Sequence, residues 1–223
     1  MDRIAIYDLD RTVTRLPTWS RFLLHAAPRH APLRLALLPL VGLAALVNAL
    51  ALIDRKTLKE TMHRLMLGRA IAPAALARVS DSFAKCEAAR NIRADARAAI
   101  AADRAAGRRV ALATAAHRFY AAAIARELGV ADVIATESET DASGRVLYRI
   151  AGENCYGETK AKAIERWLAA AAPDPAGVVV RFYSDHVSDL PTFEAVEEAV
   201  AVNPGGALRS IAEARGWRVV RWR

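Results

Sequence analysis

The order of the apolar runs constrains this chain more than any other feature. Arg3 to Tyr7 (RIAIY) is apolar on consecutive positions, the pattern of a short strand buried on both faces. The next run of that kind begins only at Arg108 (RRVALAT), and from there strand and helix patterns alternate. Phe119 to Leu128 reads as a helix stopped by Gly129, and VADVIAT as a strand. TDASGRVLYRIAG reads as a hairpin turning at Ser143-Gly144. Glu158 to Ala172 has Ile164, Trp167 and Leu168 at core spacing for a helix. GVVVRFYSD is a buried strand, and EAVAVNP and GWRVVRW are further short strands. Strands separated by helices of this length predict an α/β fold with a parallel sheet and right-handed crossovers. Its first strand is cut off from the others by a long insertion. The expected core is 1–16 and 107–223, and the insertion is 17–106.

Residues 18–106 read as almost wholly helical. The composition favours this, because much of the 54% hydrophobic content is alanine, which adds helix propensity more than core volume. In TLKETMHRLMLG, Thr57 and Glu60 have capping-box spacing, Leu58, Met62, Leu65 and Met66 share a face, and Gly68 offers a stop. A further helix is expected from Asn91 to Ala106, before Gly107. Within the insertion, LALLPLVGLAALVNALALI (35–53) carries no charge. As a helix it would reach about 28 Å, close to the hydrocarbon thickness of a bilayer. A single crossing is excluded by chain order, because strand-end residues before and after it would be left on opposite sides of the membrane. Two readings stay open. One is a buried helix or oligomer contact. The other is a helix lying in one leaflet, flanked by Arg29, Arg34, Arg55, Lys56 and Lys59.

Ligands of an open parallel sheet sit beyond the carboxyl ends of its strands. The first strand is followed by Asp8 and Asp10, RRVALA by Thr114, and VVVRFYS by Asp185 and then Asp189; Lys160 stands in the first turn of its helix. Singly these have plain readings: an Asx turn, a helix cap, a solvated lysine, acidic helix-start residues. Together they place four carboxylates, a hydroxyl and an ammonium on one rim, which favours a site.

Four stretches, DLDRTVT, LATAAH, GETK and YSDHVSD, carry a resemblance to the haloacid dehalogenase superfamily of phosphohydrolases, in its phosphoserine-phosphatase-like branch (subfamily IB). They occur in that superfamily's order and span nearly the whole chain. The resemblance implies a Rossmann-like parallel-sheet core with a C1-type helical cap inserted after the first strand. It also implies Mg2+-dependent hydrolysis of a phosphate monoester through an aspartyl-phosphate. Asp8 would be the nucleophile and Asp10 the general acid and then base. Asp8, the carbonyl of Asp10 and Asp185 would hold the Mg2+, with Asp189 at the metal-bound water or at Lys160. Thr114, the backbone N–H of Ala115 and Lys160 would bind the phosphoryl group. Arg11 stands where the usual motif has glycine, and could add affinity for substrate. Pro17 stands where phosphoserine phosphatases resemble one another in carrying a glutamate for the substrate amine, which argues against phosphoserine. The apolar cap segment is similar to that of phosphatidylglycerophosphatases of the same type.

The net charge of +8 favours anionic partners: a phosphorylated small molecule, a phospholipid headgroup or an anionic membrane surface. Nucleic acid is not expected, since no zinc-finger spacing, RRM-like motif or basic tract occurs. Cys86 and Cys155 form no CxxC pair, and Asp2 and Arg3 run straight into the first strand. A cytoplasmic protein without a leader is therefore expected, peripheral on the inner face of the membrane under the leaflet reading. Cys155 is expected to be a packed small residue. His117 and His186 are expected to pack at helix starts or face solvent, and His25, His30 and His63 show no ligand spacing. A rival from another class is a non-catalytic, membrane-associated interaction protein on the same fold.

Overall fold

The computed structural model describes residues 3–171 and 177–223. Ala172, at the expected end of its helix, lies outside the described residues. Six parallel strands form the central sheet: β1 (Arg3–Tyr7), β3 (Arg109–His117), β4 (Asp132–Thr136), β7 (Val179–Ser184), β8 (Glu198–Val202) and β9 (Arg218–Val220). Their order across the sheet is β4-β3-β1-β7-β8-β9. The chain therefore builds outward from β1 to one side, then returns and builds outward to the other. β1 is central and buried after Arg3, as its unbroken apolar run requires. Register sets Tyr7 beside both Leu112 and Tyr183, so Asp8, Thr114 and Asp185, one or two residues further along their chains, come at one level of the sheet.

Helices cover both faces. One face carries α7 (Glu158–Ala171), α8 (Leu190–Glu194) and α9 (Gly206–Ala214), packed through Ile164, Phe193 and Leu208 on Ile6 and Phe182. The other carries α5 (Ala94–Ala105) and α6 (Arg118–Glu127). The insertion supplies α1 (Thr18–His30), α2 (Leu38–Ala49), α3 (Arg55–Met66) and α4 (Pro73–Arg90), with a 3-10 turn at Pro32–Leu37. The chain leaves and re-enters the core through a short antiparallel pairing. Arg15 N donates to the Asn91 carbonyl, Arg93 N donates to that of Val13, and Thr14 bridges Ile92. The crossing back thus comes before α5. That helix, expected within the insertion, buries Ala96, Ile100 and Asp103 and packs on β3.

The insertion shares its core with the sheet domain. α4 packs along α6, and Phe22 of α1 stacks on Tyr120 at 4.7 Å and meets Phe83 edge-on at 5.3 Å. A small antiparallel sheet ties the two parts again: β2 (Ala70–Ile71) pairs with β6 (Val146–Ile150), which pairs with β5 (Ser138–Thr140). β5 and β6 are the expected hairpin. Asp141 accepts from the backbone N–H groups of Ser143 and Arg145, and Gly144 takes the left-handed φ of +76° that the turn needs.

Two local expectations are corrected. Thr57 and Glu60 do not form a capping box: the N-cap of α3 lies three residues earlier, at Asp54, which accepts from Thr57 N at 2.7 Å. Glu60 instead accepts from Ile150 N at 2.9 Å and fastens α3 to the small sheet. The apolar segment 35–53 is not a buried helix. No residue of α2 or of the preceding 3-10 turn is buried, although Pro32–Ala49 is apolar and long enough to cross a membrane. The closing GWRVVRW, by contrast, holds the short strand it reads as, at the edge of the sheet: Trp217 stacks on Phe193, and Trp222 packs against Tyr7 and Tyr183.

His63 sits wholly buried between Trp19, His117 and Phe119, and neither ring nitrogen has a partner. Burial, with His30 adding to it, lowers its pKa to about 4. The unfolded chain therefore binds a proton at His63 more readily than the folded one, and stability falls as pH drops from about 6.5 towards 4. The full cost approaches about 3 kcal/mol. Urea unfolding between about pH 7 and pH 4.5 should show His63→Leu losing less stability on acidification than the parent. Equal losses in the two proteins would exclude this account.

Candidate active site

Asp8 is the first residue beyond β1, and its N–H still donates to the Tyr183 carbonyl, so the sheet ladder fixes its backbone. Lys160, in the first turn of α7, reaches back across the strand ends. Its Nζ donates to Asp8 Oδ1 at 2.8 Å and to Asp189 Oδ2 at 2.7 Å. Asp189 Oδ2 also accepts from Ser184 Oγ at 2.6 Å, while its Oδ1 is buried without a partner. All three charged groups are nearly closed off from solvent, with Lys160 3% and Asp189 2% exposed. Burial works against the Lys160 charge, but Asp189 and Asp8 outweigh it, so its pKa rises and it stays an ammonium. Burial, opposed by Lys160 and reinforced by Asp189 and Asp185, pushes the Asp8 carboxyl up to about 8.

The remaining expected residues converge on the same rim. Asp10 Oδ1 accepts from both N and Oγ1 of Thr18 at 2.8 Å, which turns this carboxyl toward the start of α1. Burial raises its pKa, against the pull of the Thr18 donors. Asp185 Oδ1 accepts from Thr12 Oγ1 at 3.2 Å, and burial raises its pKa in turn. Thr114 Oγ1 accepts from Ala116 N at 3.0 Å, at the irregularity between Thr114 and His117 near the end of β3, and does not cap α6, which starts four residues on. Between Asp10 and Thr14 the chain turns tightly, with Arg11 at φ +65°. An L-residue is strained there by roughly 1 kcal/mol or more, so glycine would be the cheaper choice for the turn. Arg11 lines the wall of the cavity.

That cavity, about 250 Å³, is lined by Asp8, Asp10, Arg11, Thr114, Ala115, Lys160, Asp185 and Asp189, joined by Pro17, Arg55, Tyr156, His186 and Ser188. A second chamber of about 240 Å³ shares Asp10, Arg55, Ala115 and Tyr156 with it and continues past Trp19, Asn48, Leu58, Lys59 and Asn154. Lys59 reaches in from α3. Its Nζ donates to the Ala115 carbonyl and, at 2.8 Å, to Asn154 Oδ1; burial lowers its pKa to about 8, with Asp10 opposing. Arg55 lies 4.4 Å over the Tyr156 ring. The sequence reading missed Lys59, Arg55, Thr18 and Tyr156 as site residues. The only sequence signal, for Arg55 and Lys59 alone, was the basic run that opens α3, which also suits a lipid surface; Thr18 and Tyr156 had none. His117 is buried between Trp19 and Phe119, while His186 lines the cavity and accepts from Ser188 N. Cys155 is packed, with burial pushing its thiol up to about 11.

Mg2+ prefers oxygen ligands and keeps several waters. The donor set fits it. Among the described residues, only one oxygen of Asp8 and one of Asp185 accepts a protein donor. Among the described residues no cluster of three or more His, Cys, Asp or Glu side chains forms a ready-made cage.

The family model of haloacid dehalogenase-like hydrolases matches residues 5–194, and the chain belongs to that family. A protein of unknown function from Bordetella pertussis Tohama I, solved as a crystal structure, is 29% identical with a TM-score of 0.84, covering 99% of this chain and 98% of that one. A probable phosphoserine phosphatase from Vibrio cholerae shares the fold at 15% identity, TM-score 0.68, covering all of this chain and 61% of its own. A probable phosphatase of Mycobacterium tuberculosis is 40% identical over 127 residues, 57% of this chain and 43% of the relative. This chain therefore spans less than half the length of that curated relative.

Proposed function

We propose that this protein is a Mg2+-dependent phosphatase that hydrolyses a phosphate monoester through an aspartyl-phosphate on Asp8. The observation that carries the reading is the buried chain Asp8–Lys160–Asp189 at the end of the central strand. Lys160 holds Oδ1 of Asp8, and among the described residues nothing donates to Oδ2. Oδ2 attacks phosphorus, the bond to the ester oxygen breaks, and Asp10, whose raised pKa suits an acid, gives its proton to the leaving alkoxide. Asp10 then takes a proton from the water that attacks the aspartyl-phosphate, and phosphate departs. Thr114, Ala115 and Lys160 bind the phosphoryl oxygens. Asp8, Asp185 and the backbone carbonyl of Asp10 would hold the Mg2+, which supplies charge neutralisation between the carboxylate and the phosphate when bound. Asp189, expected at Lys160 or at the metal-bound water, serves through its bonds to Lys160 and Ser184 as a positioning residue.

Asp10 stands where the two chambers meet, so the leaving alcohol occupies the second one. Its walls offer Arg55 and Lys59 beside Trp19 and Leu58, which suits a small anionic alcohol. Pro17 on the cavity wall supplies no carboxylate for an amine. A phospholipid headgroup is the second reading, favoured by Asn48, at the end of the exposed α2, on the wall of this chamber. We place the reaction in the cytoplasm, in keeping with two free cysteines. A non-catalytic role is disfavoured by the fully assembled Asp8–Lys160–Asp189 chain.

Phosphate release from a panel of soluble monoesters and detergent-dispersed lipid phosphates, with and without Mg2+, tests this. Turnover that needs Mg2+ is expected. Turnover equal in Mg2+ and in chelator would overturn the metal assignment, and none on any panel member would return the non-catalytic reading.

A further inference from the structure

We infer that residues 33–53 are a docking element that enters one leaflet of an anionic lipid membrane. Of the nine large hydrophobic side chains exposed among the described residues, seven lie here: Leu33, Leu38, Leu40, Leu43, Leu46, Leu50 and Leu52. Leu33 and Leu52, at the two ends, are 90% and 72% exposed. α2 turns its half-buried Val41, Ala44 and Val47 stripe inward, packs on α3, and points its leucines away from the protein. The turn after it, Leu50 to Ile53, is also apolar, although turns facing water are normally polar.

The chemistry of this surface selects lipid over a protein partner. A protein interface carries a hydrogen bond for roughly every 100–200 Å² and a polar rim. Between Leu33 and Ile53 only Arg34 and Asn48 have polar side chains, and both are turned inward. Arg34 donates to the Arg64 and Leu65 carbonyls, and Asn48 to the Ile53 carbonyl at 2.7 Å. The leucine surface thus presents no polar side chain to a second chain, whereas acyl chains need none. Exposed cations stand at its margins, Arg29 before it and Arg55 after it, and the net charge is +8. Anionic headgroups complement them. The segment enters one leaflet and does not cross, because residues on both sides of it belong to one packed body. This inference does not depend on the phosphatase reading.

Flotation of the full chain with phosphatidylcholine vesicles, and with vesicles that also contain phosphatidylglycerol, tests it. Binding is expected to the mixed vesicles, several-fold weaker to the neutral ones and weakened by salt. Leu43→Asp combined with Leu46→Asp should weaken partition by roughly tenfold or more, with circular dichroism unchanged. Leu33→Ser combined with Leu52→Ser, at the two ends, should lower it in the same direction and guards against misfolding of the first variant. Failure of the parent chain to float with either vesicle would overturn the inference. So would a parent dimer in sedimentation velocity that the leucine variants dissociate while flotation stays unchanged, since a second copy would then be the occupant.

Discussion

Asp8→Asn is expected to abolish Mg2+-dependent phosphate release, by roughly four orders of magnitude or more, since removing a covalent nucleophile removes the whole reaction path. The amide fills the same space and still accepts from Lys160, whose charge remains paired with Asp189 at 2.7 Å. The fold should therefore survive, and the unfolding midpoint should change little beside the loss of activity. The informative readout is trapping. With radiolabelled substrate, the parent quenched in acid during turnover should carry label on protein, and the variant none. Label retained in the variant would place the nucleophile elsewhere. Activity within about tenfold of the parent would remove the aspartyl-phosphate mechanism altogether.

Lys160→Met is expected to be costly twice over. Methionine matches the length of the side chain but leaves Asp8 and Asp189 buried and without their shared cation. Breaking a buried charge pair by removing one partner costs about 3–5 kcal/mol. The loss should appear as a lower urea midpoint at neutral pH with an unchanged m-value. Phosphate release should fall by a further 10²–10³-fold, roughly, through loss of charge at the phosphoryl site. Asp189→Asn separates the two effects, because it keeps the nucleophile's partner while loosening the position of Lys160. If Lys160→Met were as stable as the parent, the bridge would be an exposed pair of little worth, and the burial described for it would be wrong.

Much of this site was legible in the sequence because a parallel sheet aligns its strand ends. Once RIAIY, RRVALAT and VVVRFYS are recognised as buried strands, whatever follows each must meet at one rim, and Asp8, Thr114 and Asp185 do. Period and turn chemistry also set the hairpin at Ser143-Gly144 and the closing edge strand. The second chamber was not legible. Lys59 and Arg55 belong to an exposed-looking basic stretch, and only the packing of α3 against the β5–β6 hairpin carries Lys59 to the Ala115 carbonyl. Nor could spacing show that Asp10 is held by Thr18 or that Asp189 serves Lys160, since those bonds depend on side-chain direction.

The capping-box expectation failed for a related reason: Asp54 begins α3 earlier, and Glu60 has a tertiary partner that outweighs a local one. The apolar segment shows the division most clearly. Its sequence determined that it is apolar throughout and cannot cross a membrane once, since the chain on either side must meet at one site. An all-apolar run is compatible with burial in a core and with contact to lipid, so whether it lies inside or outside was decided only in three dimensions. There α1, α4 and α6 fill the aromatic core among themselves, and α2 is left on the outside.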